Sequence, residues 1–256
     1  MTTGHGPNPA DQDPPDPGEV AAFRDLRHAV LARIARAAEG VGRDPTEITL
    51  VAVSKTVPAD RLRAAVAAGL TLLGENRVQE GERKRPIVAG ATWHLIGPLQ
   101  SNKVRRAIEA YDLVETVDSL DLAGRLDRLV ADGRAATARL PVLLQVNVDG
   151  DPAKAGFQPE ELAAALPTLL DLGGLRVDGL MTVGRLVDDP AAARPTFRRL
   201  RELAIELRAS NDRLGPELSM GMSSDFEVAI EEGATIVRVG RALFGERQPI
   251  DVPVGP

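Results

Sequence analysis

The sequence predicts an α/β fold, a single closed (β/α)8 TIM barrel with one extra helix ahead of it. Three observations carry that prediction. From residue 47 onward, short apolar runs of strand character alternate with amphipathic helical stretches. The links between them are short, as parallel strands joined by crossover helices require. The runs number eight over about 200 residues, the span of one such barrel. An open doubly wound sheet is the competing arrangement, but no nucleotide loop supports it. The glycines of "GENRVQEG" have the wrong spacing for GxGxxG, and no GxxxxGK followed by Ser or Thr occurs.

Taken in order, residues 1–17, "MTTGHGPNPADQDPPDP", are rich in Pro and Asp and almost free of apolar side chains. Such a segment cannot bury enough surface to offset its ordering entropy, so a disordered tail is expected. A barrel domain over 18–248 and a short C-terminal tail over 249–256 follow. The extra helix places Val20, Phe23, Leu26, Val30, Ile34 and Ala37 on one face, with Gly40 and Gly42 closing it. The eight strands are "EITLVAVS", "TLLGEN", "TWHLIG", "DLVETV", "RLPVLLQVNV", "LRVDGLMTV", "PELSMG" and "TIVRVG". Between them lie helices opened by Pro58, over 77–89, over 99–111, after Ser119 as cap, from Pro159, over 191–210 and over 223–233.

Composition narrows the function. A net charge of −6 and scarce aromatic residues argue against nucleic-acid or anionic-membrane partners. Zero cysteines remove thiolate nucleophiles and Cys-ligated zinc, and fit a cytoplasmic protein. The histidines at 5, 28 and 94 are too scattered for a metal centre, and no apolar run is long enough for a membrane span.

In a barrel the functional face lies at the carboxyl ends of the strands. Those ends carry Lys55, Asn76, His94, Asn147, Met181 with Thr182, Ser219 to Ser223, and Arg238. Lys55 is either a solvated strand-end lysine or an amine held in the mouth, where apolar walls and other cations free it to attack a carbonyl. Ser223 is either an N-cap or part of a phosphate seat, made with backbone amides at Gly240 and Arg241 after the eighth strand. Asp225 opposes a phosphate unless it points away. Arg238 is either a rim ion pair or a permanent donor to a ring nitrogen. An imine-forming amine, a phosphate seat and a ring-nitrogen donor together match the aldehyde, phosphate and pyridine nitrogen of pyridoxal 5'-phosphate (PLP).

Seven stretches, "AVSKTVP", "GENRVQEG", "WHLIGPLQSNK", "VNVDGDPAKAG", "GLMTVG", "LSMGMSSDFEVAI" and "VRVGRALFGER", closely resemble the YggS/PROSC family of pyridoxal phosphate homeostasis proteins over nearly all of 20–247. The resemblance implies a barrel like the alanine racemase N-terminal domain. It implies that Lys55 forms the aldimine with PLP, and that Ser223 with the Gly240 and Arg241 amides holds the phosphate. Arg238 is implied to face the pyridine nitrogen, Asn76 to lie near the ring, and Met220 and Gly221 to line the phosphate side. His94 and Asn102 match family motifs, with structural roles equally open. Two departures are "KAG" for "KSG" at Lys154–Gly156 and "GRALFG" for "GTAIFG". The expected function is PLP buffering and delivery to apo PLP-dependent enzymes by a monomer, without strong catalysis. A PLP-dependent racemase or lyase is the alternative. Racemases, however, add a β-rich domain and a catalytic tyrosine, whereas the only tyrosine here, Tyr111, lies ahead of the fourth strand. A Schiff-base aldolase using Lys55 is a third, remote reading.

Overall fold

A computed structural model describes residues 13–133, 139–184 and 187–245. Eight parallel strands close into a barrel in sequence order: β1 (Thr49–Val53), β2 (Leu72–Glu75), β3 (Thr92–Leu95), β4 (Leu113–Val117), β5 (Leu140–Gln145), β6 (Leu175–Met181), β7 (Glu217–Met222) and β8 (Ile236–Val239). β8 pairs back onto β1, with Val51 opposite Arg238. The helices among the described residues are α1 (Pro17–Glu39), α2 (Ala59–Ala67), α3 (Val78–Lys84), α4 (Val104–Ala110), α5 (Leu120–Gly133), α6 (Pro159–Leu170), α7 (Arg194–Ser210), α8 (Phe226–Glu231) and α9 (Arg241–Phe244).

Strand alternation sorts the core into two layers. Ala52, Leu73, Trp93, Val114, Val142, Leu180, Leu218 and Val237 point outward and pack with the helices in one continuous apolar shell. Val51, Leu143, Met181 and Ile236 point inward, with Leu72, Ile96 and Leu113 packed against them. These inner side chains plug the barrel. Other inward positions are polar, at His94, Glu115, Ser219 and Arg238, all buried, with Arg238 level with Val51 and Ser219 level with Met181 and Ile236. Hydrocarbon and charge therefore share the barrel interior.

α1 lies outside the barrel against α2, α8 and α9. Asp16 caps it by accepting the Gly18 and Glu19 N–H groups, and Pro17 opens its first turn. Phe23, Val30, Ile34 and Ala37 are buried as the periodicity requires, and Phe23 meets Phe244 edge-on at 5.6 Å between ring centroids. Leu26 is a correction: it sits at the edge of the stripe and is 40% exposed.

Other differences have local causes. The third helix stops at Lys84 instead of 89: Arg85 keeps α-region angles, but Pro86 has no N–H to carry the helical bonding further. The stretch expected as helix from 99 starts with a 3-10 turn at Ser101–Lys103, and that from 191 with one at Pro190–Ala193. A short helix, α9, follows the eighth strand where only a loop was expected.

Gly221 shows how tightly β7 meets α8. Its φ is +91°, and a Cβ there would lie 2.6 Å from Ala229 Cβ and 2.9 Å from Phe226 Cα. Gly221→Ala is expected to cost about 1–3 kcal/mol of stability through overpacking and an unfavourable dihedral angle. Urea denaturation checks this as a lowered midpoint at unchanged slope.

Candidate functional site

The mouth is built from both ends of the chain. On the β1 side, Lys55 follows Ser54 directly beyond the strand and is half-buried. Ser54 turns outward, and its hydroxyl donates to Glu75 Oε1 of β2 at 2.7 Å. Alternation therefore gives Lys55 the same side as Val51 and Val53, toward the mouth. A turn closes over it, with Val57 N–H donating to Ser54 O at 3.0 Å. Its third residue, Thr56, has φ +67° and is the only non-glycine with positive φ among the described residues. Glu80 Oε2 accepts the Thr56 N–H at 2.9 Å.

Behind this turn lies a buried ionic cluster that sequence reasoning missed. Lys84 Nζ donates to Ser54 O at 2.9 Å, Glu75 Oε1 at 2.7 Å and Glu80 Oε2 at 3.1 Å. Burial is the largest influence on Glu75 and lifts its pKa from 4.5 to about 7, against the pull of Lys84. Glu80 moves the other way: burial would raise it, but bonds from Thr56, Glu75 and Lys84 outweigh that and lower it. Burial thus favours the neutral form of Glu75, whose Oε2 is buried without a hydrogen-bond partner. The only sequence signals were an acidic residue ending the "LLGE" strand and a Glu–Lys pair four apart in "QEGERK".

On the neighbouring strand β8, Arg238 is 4% exposed and inward-facing. It donates to Ser219 Oγ at 2.5 Å and to Thr182 O at 2.8 Å, and lies 3.7 Å from Glu115 Oε2. Ser219 in turn donates to Glu115 Oε2 at 2.6 Å, and His94 Nδ1 meets Glu115 Oε1 at 2.8 Å. Burial alone would raise the Glu115 pKa, but the bonds and charges of His94, Arg238 and Ser219 prevail and lower it. Burial draws the arginine down from its ordinary value, opposed by the charges of Glu115 and Asp225. Arginine nevertheless stays protonated in proteins, so Arg238 is a fixed donor aimed into the barrel. Of this chain of four, Glu115 was not singled out from sequence, although its inward position in "LVETV" marks a carboxylate among core residues.

The remaining site residues divide. Ser223 Oγ accepts the Gly240 N–H at 3.0 Å, which joins the β7–α8 and β8–α9 loops. Arg241, the first residue of α9, is exposed beside it. Asp225 is buried and bonds back to the Met222 N–H at 2.6 Å. Met220 stands apart: its side chain is fully buried in the outer apolar shell, facing the helices. Asn76 is half-buried beyond β2, its backbone packed so closely under Gly97 that a Cβ there would lie 2.3 Å from Asn76 O. Asn147 serves its own loop, donating to Asp151 O and Lys154 O, and Asn102 is exposed in a 3-10 turn. Thr182 donates to Val146 O at 2.8 Å.

The donor set fits PLP. It offers an amine just beyond β1, a permanent cationic donor on the adjacent β8, and a hydroxyl with backbone amides on the loops after β7 and β8. Among the described residues no His, Asp or Glu group could hold a metal ion, and no helix is long and apolar enough to cross a membrane.

Known proteins share this architecture. The family model described as "Alanine racemase, N-terminal domain" matches residues 28–248. The pyridoxal phosphate homeostasis protein of Pseudomonas aeruginosa is 46% identical over 220 residues, 85% of this chain and 93% of that protein. The structure of PipY from Synechococcus elongatus with PLP bound superimposes with a TM-score of 0.72 at 41% identity, over 83% of this chain and all of that one. An alanine racemase of Clostridium difficile 630 shares the fold, with a TM-score of 0.66 at 18% identity over 57% of its length. The chain belongs to the family of the pyridoxal phosphate homeostasis proteins, built on the alanine racemase N-terminal barrel.

Proposed function

We propose that this protein holds PLP reversibly in the barrel mouth and serves its homeostasis, buffering the cofactor and passing it to apo PLP-dependent enzymes. The observation that carries the reading is Arg238, a buried cation fixed by Ser219 and Thr182 and pointing into the mouth. A donor that cannot deprotonate suits an unprotonated pyridine nitrogen. Lys55 Nζ is the covalent attachment point: the amine and the aldehyde join as an imine with release of one water, so a reactive aldehyde is stored yet recoverable. Ser223 and the amides of Gly240 and Arg241 take the phosphate. Arg241, in place of a small hydroxyl residue, adds charge there. The protein acts in the cytoplasm as a monomer.

Ser223→Ala tests the seat. Losing one hydroxyl partner of a charged phosphate costs about 1.5–3 kcal/mol. Affinity for PLP is therefore expected to fall by more than tenfold in equilibrium titration, while affinity for unphosphorylated pyridoxal stays the same. An equal loss for both would remove Ser223 from the seat.

Storage is favoured over racemase or lyase chemistry by Tyr111. Its hydroxyl donates to Arg77 O at 2.9 Å and accepts the Gly81 N–H at 3.1 Å, behind α3. Burial and nearby carboxylates, Glu75 foremost, push its pKa far up. It cannot act as a base in the mouth. The loaded protein, incubated with a panel of amino acids in deuterated water, is expected to exchange α-hydrogen no faster than free PLP. Steady exchange with any one amino acid would make it an enzyme.

A further inference from the structure

Both peptide groups that flank the Lys55 Cα are tied down, and the ties come from a single helix. The Ser54 carbonyl, in the peptide before Lys55, accepts from Lys84 Nζ at 2.9 Å. The Thr56 N–H, in the peptide after it, donates to Glu80 Oε2 at 2.9 Å. Glu80 and Lys84 are paired with each other at 3.1 Å one turn apart on α3, and Lys84 is anchored to Glu75 of β2. With both neighbouring peptide planes held, the backbone angles of Lys55 are set, and so is the direction in which its side chain leaves the strand end.

A second feature makes these ties more than glue between α3 and the barrel. The turn Ser54–Val57 places Thr56 at the position where a type II turn needs positive φ, a role that ordinarily falls to Gly or Asn. A β-branched residue there is an outlier that persists only when its surroundings impose it. The Thr56 N–H donates to Glu80 in that conformation, and Val57 N–H and Lys84 hold the Ser54 carbonyl of the same turn. Docking of α3 has separate means: Arg85 grips Asp112 with two bonds of 2.9 Å, and the Tyr111 hydroxyl bonds the α3 backbone. Glu75 retaining its proton to about pH 7 suits the same arrangement, since one lysine then faces one carboxylate and one carboxylic acid.

We propose that Glu80, with Lys84, is a positioning residue for Lys55: it holds Thr56 in the left-handed turn and so keeps the Lys55 amine directed into the barrel mouth. This rests on the reading of Lys55 as the reactive amine.

The test exploits the conformation of Thr56. Full-length apo protein is labelled with a small acyl ester, and the rate of acylation at Lys55 is followed by peptide mapping. In parallel, PLP fixed at Lys55 by borohydride is quantified. Glu80→Ala is expected to slow both by up to about a hundredfold, the scale of an ångström-level misplacement of a reacting group. Thr56→Gly placed in the Glu80→Ala background is expected to restore both, because glycine adopts positive φ without help. The comparison is repeated with Glu80→Gln, which keeps the bulk and weakens the bond to Thr56, so a failure of Glu80→Ala to fold leaves the test intact. Unchanged Lys55 reactivity in both Glu80 variants overturns the proposal, as does a loss that glycine at 56 does not restore. The acyl readout needs no cofactor. A wild-type protein that takes up no PLP would overturn the functional reading while the positioning of Lys55 was still decided.

Discussion

Lys55→Ala abolishes the yellow imine band on mixing with PLP and leaves borohydride nothing to fix. The chain has four lysines, at 55, 84, 103 and 154, so the alternatives can be counted. Lys84 is committed to Ser54, Glu75 and Glu80 behind the barrel wall. Lys154 donates to Val183 O. Lys103 sits in the 3-10 turn ahead of α4. Ring and phosphate contacts survive the substitution, but the covalent bond does not. Retention is expected to weaken by at least about a hundredfold, about 2.7 kcal/mol. The fold survives, because the bonds that brace the turn run from Ser54 and Thr56. Gel filtration of loaded samples, with absorbance followed through the protein peak, checks the loss. The urea midpoint checks the fold.

Arg238→Leu has a larger effect on stability than on any single ligand contact. It removes the cation facing Glu115, a carboxylate with no exposed surface, and strands it with His94 and Ser219. Breaking a buried pair from one side costs about 3–5 kcal/mol, so the variant is expected to lose that much at pH 7. The pH dependence has a definite sign. In the native protein Glu115 lies below its ordinary 4.5, and its stabilising contribution is present above 4.5 and lost as pH falls through its lower folded value. Without Arg238 one of the groups that hold the folded value down is lost, His94 and Ser219 remaining, and that value rises. The deficit is full above the raised value and is lost as pH falls through it toward the native one. On acidification from pH 7 toward 5 the deficit is therefore expected to hold or shrink, not to grow. Denaturant titrations at both pH values measure it, and a deficit that grew over that interval would remove Glu115 as its cause.

Much of this was legible in the sequence because barrels obey alternation. Eight strands appear where apolar runs predicted them, and the inward positions, from Ile236 to Arg238 on β8, follow from counting by two. Lys55, Ser223 and Gly240 were legible for the same reason, lying at strand ends. The same rule, had it been applied to β7, would have turned Met220 outward once Ser219 was turned in. What alternation cannot supply is the partner of an outward polar residue. Glu75 and Lys84 sit nine positions apart on a strand and a helix, and only the packing of α3 on β1 and β2 brings both to Ser54. Helix ends were misjudged where one residue governs the backbone, as Pro86 does after α3.

The central claim is that one amine, at position 55, captures the aldehyde of PLP. The most direct measurement is borohydride reduction of the loaded wild-type protein, followed by mass mapping of its four lysines. A single reduced pyridoxyl adduct is expected, on the peptide containing Lys55. An adduct confined to Lys84, Lys103 or Lys154, or bound PLP with no reducible adduct at all, would contradict it.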